Sequence, residues 1–425
     1  MKNYIIYIKL FFLIPIILSF FIIRIFKDFR ISRIEARKIG HMATPIEIYI
    51  CEKKDDPNKV PVLWFFDDNL STNQFLKNQW SQKLTILPRY LLEPIYILFK
   101  KYKFFHFFFE NYNDSTKINH IKSQIINSDI YITATCKCVI CVDTPGSRMI
   151  PRYIKDGVKQ IDDNNLLSKY KPSIEFNQNE KNEGENYLKK IGVQNKKFFT
   201  FASRSSVFHN EKFDEARNAN VNDKILGIKF MVSKGYKAIR MGKYLKEKIN
   251  FSDSNIIDHA GLGNANDFLD FYLISKCEFM ISDSTGITTV AALFRKPCLL
   301  LNDIGVHSMA EHPNRRMYIL KKFKNRNTGE FLTFEEVYQK KLNFESLGLQ
   351  GINKLELDVI DNSEFEIKKA IESFYDLMNN NLNLDEIVNK QKKYWQTVEK
   401  YFGFKNSDKV IICPDFYLNN IDLFK

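Results

Sequence analysis

Between residues 197 and 302 the chain alternates short apolar runs with amphipathic stretches, joined by connections of a few residues. Residues 197–202 (KFFTFA), 236–241 (YKAIRM), 255–258 (NIID), 278–282 (EFMIS) and 297–302 (PCLLLN) are predicted strands. Residues 223–234, 266–276 and 287–294 are predicted helices, and Gly235 stops the first of them. On the helix 266–276, Phe268, Phe271, Tyr272 and Ile274 form the apolar side. Strand–helix–strand repetition with such short links forces parallel pairing through right-handed crossovers. That is the layout of a doubly wound nucleotide-binding half.

A weaker version of the pattern precedes it. Residues 31–165 carry short apolar runs at 46–51, 60–66, 130–133 and 138–142, read as strands with helical stretches between them. Residues 162–184 are polar and read as a linker into a short helix near 185–191. The last hundred residues read as helical, chiefly 365–378 and 384–401. At ~100–200 residues per domain, 425 residues make two or three domains. The expected division is an anchor segment at 1–30, an α/β domain at 31–170, a second at 171–325, and a helical region at 326–425 that packs back on the domains. With 44% apolar residues, 16 Gly and 12 Pro, disorder and fibrous or low-complexity architectures are excluded.

The net charge is +13, and it is unevenly placed. Residues 1–40 hold eight basic and two acidic residues, nearly half the excess in a tenth of the chain. The same segment contains fourteen consecutive uncharged residues, 10–23 (LFFLIPIILSFFII). No small-residue cleavage site follows, which argues against a signal peptide. The reading is a membrane anchor, spanning or re-entrant, with its cations placing the body at the cytoplasmic face of the membrane. Residues 84–112, aromatic and aliphatic with interspersed Lys, read either as a second membrane-facing stretch or as core helices. Nucleic acid is not expected as a partner, because no compact Arg/Lys–aromatic module occurs. Much of the remaining charge reads as compositional bias on solvated surfaces.

Seven Cys form no disulfide framework. Cys136, Cys138 and Cys141 lie among Val, Ile and Thr, so they read as buried strand thiols rather than zinc ligands. No metal and no cofactor is expected.

The 282–286 turn (SDSTG) joins a buried strand to a helix. Ser284, Thr285 and Gly286 would let a phosphate approach the first helix amides. The bland alternative is a plain helix cap. Arg204 and Arg240 end two other predicted strands, and in an open parallel sheet ligands bind outside those ends. They are candidates for a diphosphate clamp. Asp258, Gly261 and Gly263 read as a loop near base or ribose. The chain contains no Asp-x-Asp, GxxxxGK[ST], HExxH or GxSxG.

These residues carry a resemblance. The segments 198–204 (FFTFASR), Arg217-Asn218, 235–242 (GYKAIRMG), Ile256-Ile257-Asp258 and 267–302, with 37–42 (RKIGHM), resemble a family of predicted bacterial glycosyltransferases of surface-polysaccharide clusters. Its motif layout is similar to that of the metal-independent fucosyltransferases. The resemblance implies the GT-B architecture, two Rossmann-like domains, with the nucleotide-sugar donor in the C-terminal one. The acceptor, a glycan or lipid-linked sugar, would bind in the N-terminal one. Here Ser205 stands where family members often carry Asp, so that role would pass to Asp214 or another carboxylate. His41 is the preferred catalytic base over His209. A nucleotide-sugar epimerase of GT-B-like fold and a non-catalytic sugar-nucleotide-binding scaffold are the alternatives.

Overall fold

A computed structural model of the chain describes residues 14–23, 25–101, 131–132, 142–143, 165–204, 216–243, 247–262, 266–304, 316–339, 355–402 and 410–425. It divides into two compact units, Met1–Ile150 and Pro151–Lys425. Each is a mixture of helices and strands, and the principal sheet of each is parallel. The residues after 325 belong to the second unit rather than forming a separate one.

In the first unit, β1 (Arg30–Ile34), β2 (Val62–Phe66) and β3 (Thr85–Ile86) form a parallel sheet in that order. A two-residue antiparallel ladder joins β4 (Tyr131–Ile132) to β5 (Val142–Asp143). The expected strand at 46–51 is instead part of the helix Ile39–Asp55. Its Ile and Tyr residues favour strands locally, but the helix is buried on all sides from Met42 to Tyr49 and again at Cys51, and that tertiary packing overrides the local preference. Pro45 sits inside this helix and removes the amide that would bond the His41 carbonyl. Trp80, from the helix Gln74–Lys83, donates its indole N–H to the Met42 carbonyl at 2.7 Å and locks the two helices together. The stretch read as membrane-facing at 84–112 supplies β3 and the helix Arg89–Lys101; its residues past 101 lie outside the described set.

Residues 14–23 and 25–26 are helical. One side of this helix is pinned to the unit. Phe20 meets Phe29 edge-on at 5.3 Å, and both belong to a core with Ile31, Phe65, Leu92, Ile95 and Tyr96. Ile16, Ile17 and Phe21 pack against that core. The other side is apolar and bare, with Ile14, Leu18, Ile22, Ile25 and Phe26 exposed. Among the described residues no helix is long and apolar enough to cross a membrane. Residues 1–13 of the expected anchor lie outside the described set.

In the second unit the strands are β6 (Phe198–Ala202), β7 (Lys237–Arg240), β8 (Ile256–Ile257), β9 (Met280–Asp283), β10 (Cys298–Asp303), β11 (Arg316–Leu320), β12 (Lys322–Asn325), β13 (Leu357–Ile360) and β14 (Val410–Ile412). Seven of them form one parallel sheet in the order β14-β11-β10-β9-β6-β7-β8, while β12 and β13 pair antiparallel beside it. Every residue of β6, β9 and β10 is buried, as strands covered on both faces must be. The five strands expected from the sequence are all present. β11, β12, β13 and β14 were not expected, and the last two interrupt a region read as helical. The polar stretch at 162–184 is not all linker. A capping box of Asn177 and Glu180 starts a helix at once, over Gln178–Lys190. Gly184 in that helix faces the Tyr272 ring so closely that a Cβ would overlap it. Gly235 adopts φ +87° and ends the helix Ile225–Ser233.

The chain enters this sheet at β6, moves outward through β7 to β8, then returns to lay β9 on the other side of β6 and proceeds to β10 and β11. The strand order therefore reverses between β6 and β9. In such sheets the two connections leave in opposite directions at that point, and a crevice opens outside the strand ends.

Candidate functional site

The switch point between β6 and β9 gathers charged side chains. Ala202 pairs with Ser282, so Ser203 and Arg204 emerge next to Asp283 and Ser284. Lys224, at the end of the 3-10 turn Val221–Lys224, reaches under both. Its ammonium bonds Ser203 Oγ at 2.7 Å and both Asp283 carboxylate oxygens at 2.9 Å. Lys224 and Asp283 side chains are both 0% exposed. The Arg204 amide donates to Asp283 Oδ2 at 3.3 Å. Arg217 donates to the Ser284 carbonyl at 2.6 Å and to its hydroxyl at 3.3 Å. Lys321, following β11, holds the Asn218 carbonyl and the Asp361 carboxylate, each at 2.7 Å, and so fixes the segment that carries Arg217.

Ser284 is buried, while Thr285 and Gly286 are half-buried and accessible. The helix after them is only Thr288–Leu293, six residues. That is shorter than the helix expected from the sequence, and a stub of that length adds little dipole. The turn is flanked instead by Arg204, by Arg217 and by the internally neutralised Lys224–Asp283 pair. The hydroxyl of Thr288 bonds the Asp283 carbonyl at 3.1 Å and steadies the turn from inside.

A second cluster lies at the ends of β7 and β8. Arg240 is 2% exposed. Its guanidinium donates to Asp258 Oδ2 at 3.3 Å and to the Glu247 carbonyl at 2.7 Å. Asp258 Oδ1 accepts the Gly261 amide at 2.9 Å. Arg240 and Asp258 are thus engaged with each other, and Gly261 lies against the same carboxylate. Gly263 lies outside the described residues, as do Ser205, His209, Asp214 and the 136–141 cysteines. His259, next to Asp258, is completely buried. Its Nδ1 meets the Tyr187 hydroxyl at 2.5 Å and its Nε2 lies 3.3 Å from Asp270. Burial pushes the Asp270 carboxyl up, against the pull of His259. Burial, then Asp270, raises Tyr187, so the phenol beside Nδ1 keeps its proton. This network ties the 258–262 loop to two helices.

His41 belongs to the first unit, in the first turn of the helix Ile39–Asp55. Its Nδ1 lies 3.6 Å from Glu35, and its side chain is 19% exposed. Burial alone would raise the Glu35 carboxyl; His41, Lys38 and Arg33 together overcome it and leave the group below its ordinary value. A carboxylate held ionised beside an imidazole orients the ring and favours its proton uptake.

The sequence reading named Arg204 and the 284–286 turn, and the structure brings these together. It missed the buried position of Lys224, whose partner lies 59 residues away, and named Arg217 only through the resemblance. Among the described residues no three His, Cys, Asp or Glu side chains converge as a metal site.

No protein-family model matches the chain, and no curated protein matches it in sequence. Solved structures similar to it include the ADP-heptose lipopolysaccharide heptosyltransferase II of E. coli, with a TM-score of 0.36 and 11% identity over 69% of this chain and 90% of that one. A glycosyl transferase family 9 protein from Veillonella parvula DSM 2008 gives 0.39 and 10%, over 77% of this chain and 96% of that one. A UDP-N-acetylglucosamine 2-epimerase gives 0.33 and 9%, over 83% and 97%.

Proposed function

We propose that the protein is a glycosyltransferase of GT-B architecture, which moves a sugar from a nucleotide-diphosphate sugar to a lipid-linked or surface-glycan acceptor without a metal. The observation that carries the reading is the arrangement at the topological switch point: Arg204 and Arg217 emerge beside the accessible Thr285-Gly286 turn, and Lys224 pairs the buried Asp283 carboxylate next to it. A departing diphosphate develops charge as the bond from the sugar's anomeric carbon to its oxygen breaks. Fixed guanidinium groups, the Thr285 hydroxyl and turn amides stabilise that charge. The acceptor hydroxyl forms the new bond to the anomeric carbon and gives its proton to His41, whose ring Glu35 orients. Arg240 acts at one remove in this reading. It holds Asp258, and the 258–261 loop receives the nucleoside.

The protein works at the cytoplasmic face of the membrane. The bare side of the 14–26 helix, with Ile14, Leu18, Ile22, Ile25 and Phe26, lies in the lipid interface beside the Lys and Arg of residues 24–38.

A thermal-shift panel of nucleotide sugars tests the donor claim, because a ligand that binds only the native state raises its stability by RT ln(1 + [L]/Kd). One nucleotide-diphosphate sugar should raise the melting temperature in EDTA, and its sugar should pass to an acceptor in a membrane extract. No shift with any of them would overturn the reading.

A further inference from the structure

Asp283 presents a problem at a site for a diphosphate. It stands immediately before Ser284, and it is completely buried, so no water screens it. A bare carboxylate about 6 Å from a bound phosphate would weaken binding by roughly 100-fold at an effective dielectric of ~20. Lys224 answers this. Its ammonium contacts both carboxylate oxygens, and it is as buried as the group that it neutralises. A buried ion pair is an expensive way to join two strand ends, since apolar residues of similar volume fill such a position at less cost in desolvation. Its charges therefore call for a use.

We propose that Lys224 is a positioning residue for diphosphate recognition, which cancels the charge of Asp283 and spans the switch point from Ser203 to Asp283 so that the 284–286 turn accepts an anion. This rests on the reading of the switch point as a nucleotide-diphosphate site. The geometry carries it in two ways. Through Ser203 Oγ the ammonium fixes the end of β6, and through Asp283 it fixes the end of β9. The other Asp283 contact on the β6 side is the Arg204 amide, so the placement of Arg204 depends on the same carboxylate. Removing the ammonium leaves the carboxylate facing the ligand with its charge uncancelled.

The test uses the full chain and calorimetric titration with UDP, GDP, ADP and CDP, followed by the nucleoside of whichever binds. Lys224→Met should weaken the diphosphate about 10- to 100-fold, while the nucleoside changes less than about threefold. The double variant Lys224→Met/Asp283→Asn, a neutral pair, should recover diphosphate affinity to within about fivefold of wild type. Unchanged diphosphate affinity in folded Lys224→Met overturns the proposal, as does an equal loss for nucleoside and diphosphate, which marks a purely structural role. If Lys224→Met does not fold, the double variant decides: a loss beyond about tenfold there refutes charge cancellation. Wild type that binds none of the four diphosphates overturns the site reading itself, a result separate from failure of the Lys224 role.

Discussion

Gly261→Ala tests how the β7–β8 end of the site is held. A Cβ at Gly261 would stand 2.6 Å from the Asp258 Cγ and 3.0 Å from its Oδ1. The carboxylate is 29% exposed and can swing outward, so the overlap itself relaxes. What is lost is the Gly261 amide bond to Oδ1 and the Arg240 bond to Oδ2. Hydrogen bonds to charged groups contribute about 1.5–3 kcal/mol each. Solvent at the displaced carboxylate returns part of that. The alanine also restricts the unfolded chain, which stabilises by about 0.4–1 kcal/mol. The net expectation is a loss of about 2–4 kcal/mol, most of it from the Arg240 guanidinium left buried without its carboxylate. The assay is urea unfolding of the full chain, read by hydrogen exchange in the peptides spanning residues 237–262. The control is the same substitution in Asp258→Ala. With no carboxylate to displace, Gly261→Ala should then cost less than about 0.5 kcal/mol. An equal cost on both backgrounds would refute the reasoning, because the carboxylate would not be the group that the glycine accommodates.

Three other outcomes follow from the geometry. Arg217→Ala removes the 2.6 Å bond to the Ser284 carbonyl and should weaken diphosphate binding by about 1.5–3 kcal/mol in calorimetry; an unchanged Kd would remove Arg217 from the site. Glu35 has a folded-state value below its unfolded one, so its contribution is complete above about pH 4.3 and is lost as pH falls through the lowered value. Melting curves of wild type should therefore fall more steeply than those of Glu35→Gln on acidification below that point, and parallel curves would count against the His41–Glu35 pair. Replacing Ile22, Ile25 and Phe26 together with Asn should shift the protein from sedimented membranes to the soluble fraction with little change in melting temperature, since all three are exposed. Continued sedimentation would contradict the lipid-facing helix.

The strands of the second unit were legible where burial is two-sided. FFTFA and CLLLN are mostly apolar, broken only by Thr200 and the closing Asn302, and such a short run between turn signals leaves few alternatives. β11 and β14 were not legible for the opposite reason. RMYIL begins with a charge, VII is three residues long, and their pairing spans about ninety residues of chain. The run at 46–51 shows the same limit from another side, because its local strand preference loses to packing of the whole Ile39–Asp55 helix. For the site, the turn and Arg204 could be placed, because strand ends and small hydroxyl residues are local signals. Lys224 could not. At the start of an amphipathic helix a lysine reads as solvated, and only tertiary pairing with Asp283 buries it.

Set side by side, the strand ends show one repeated solution. Asp283 lies on Lys224, Asp258 on Arg240, and Asp361, just beyond β13, on Lys321. In each pair the cation is the more buried partner or equally buried, at 0%, 3% and 2% exposure. Such cations are engaged by the protein's own carboxylates. Internal pairs of this kind hold their geometry without a ligand, so under the proposed function the edge is prearranged and little reorganisation would accompany binding. The charge that first looked like a clamp of Arg204 and Arg240 thus divides by depth. Arg240 belongs to the scaffold with Lys224 and Lys321. Arg204 and Arg217, both only partly buried, stand at the turn where an anion would arrive.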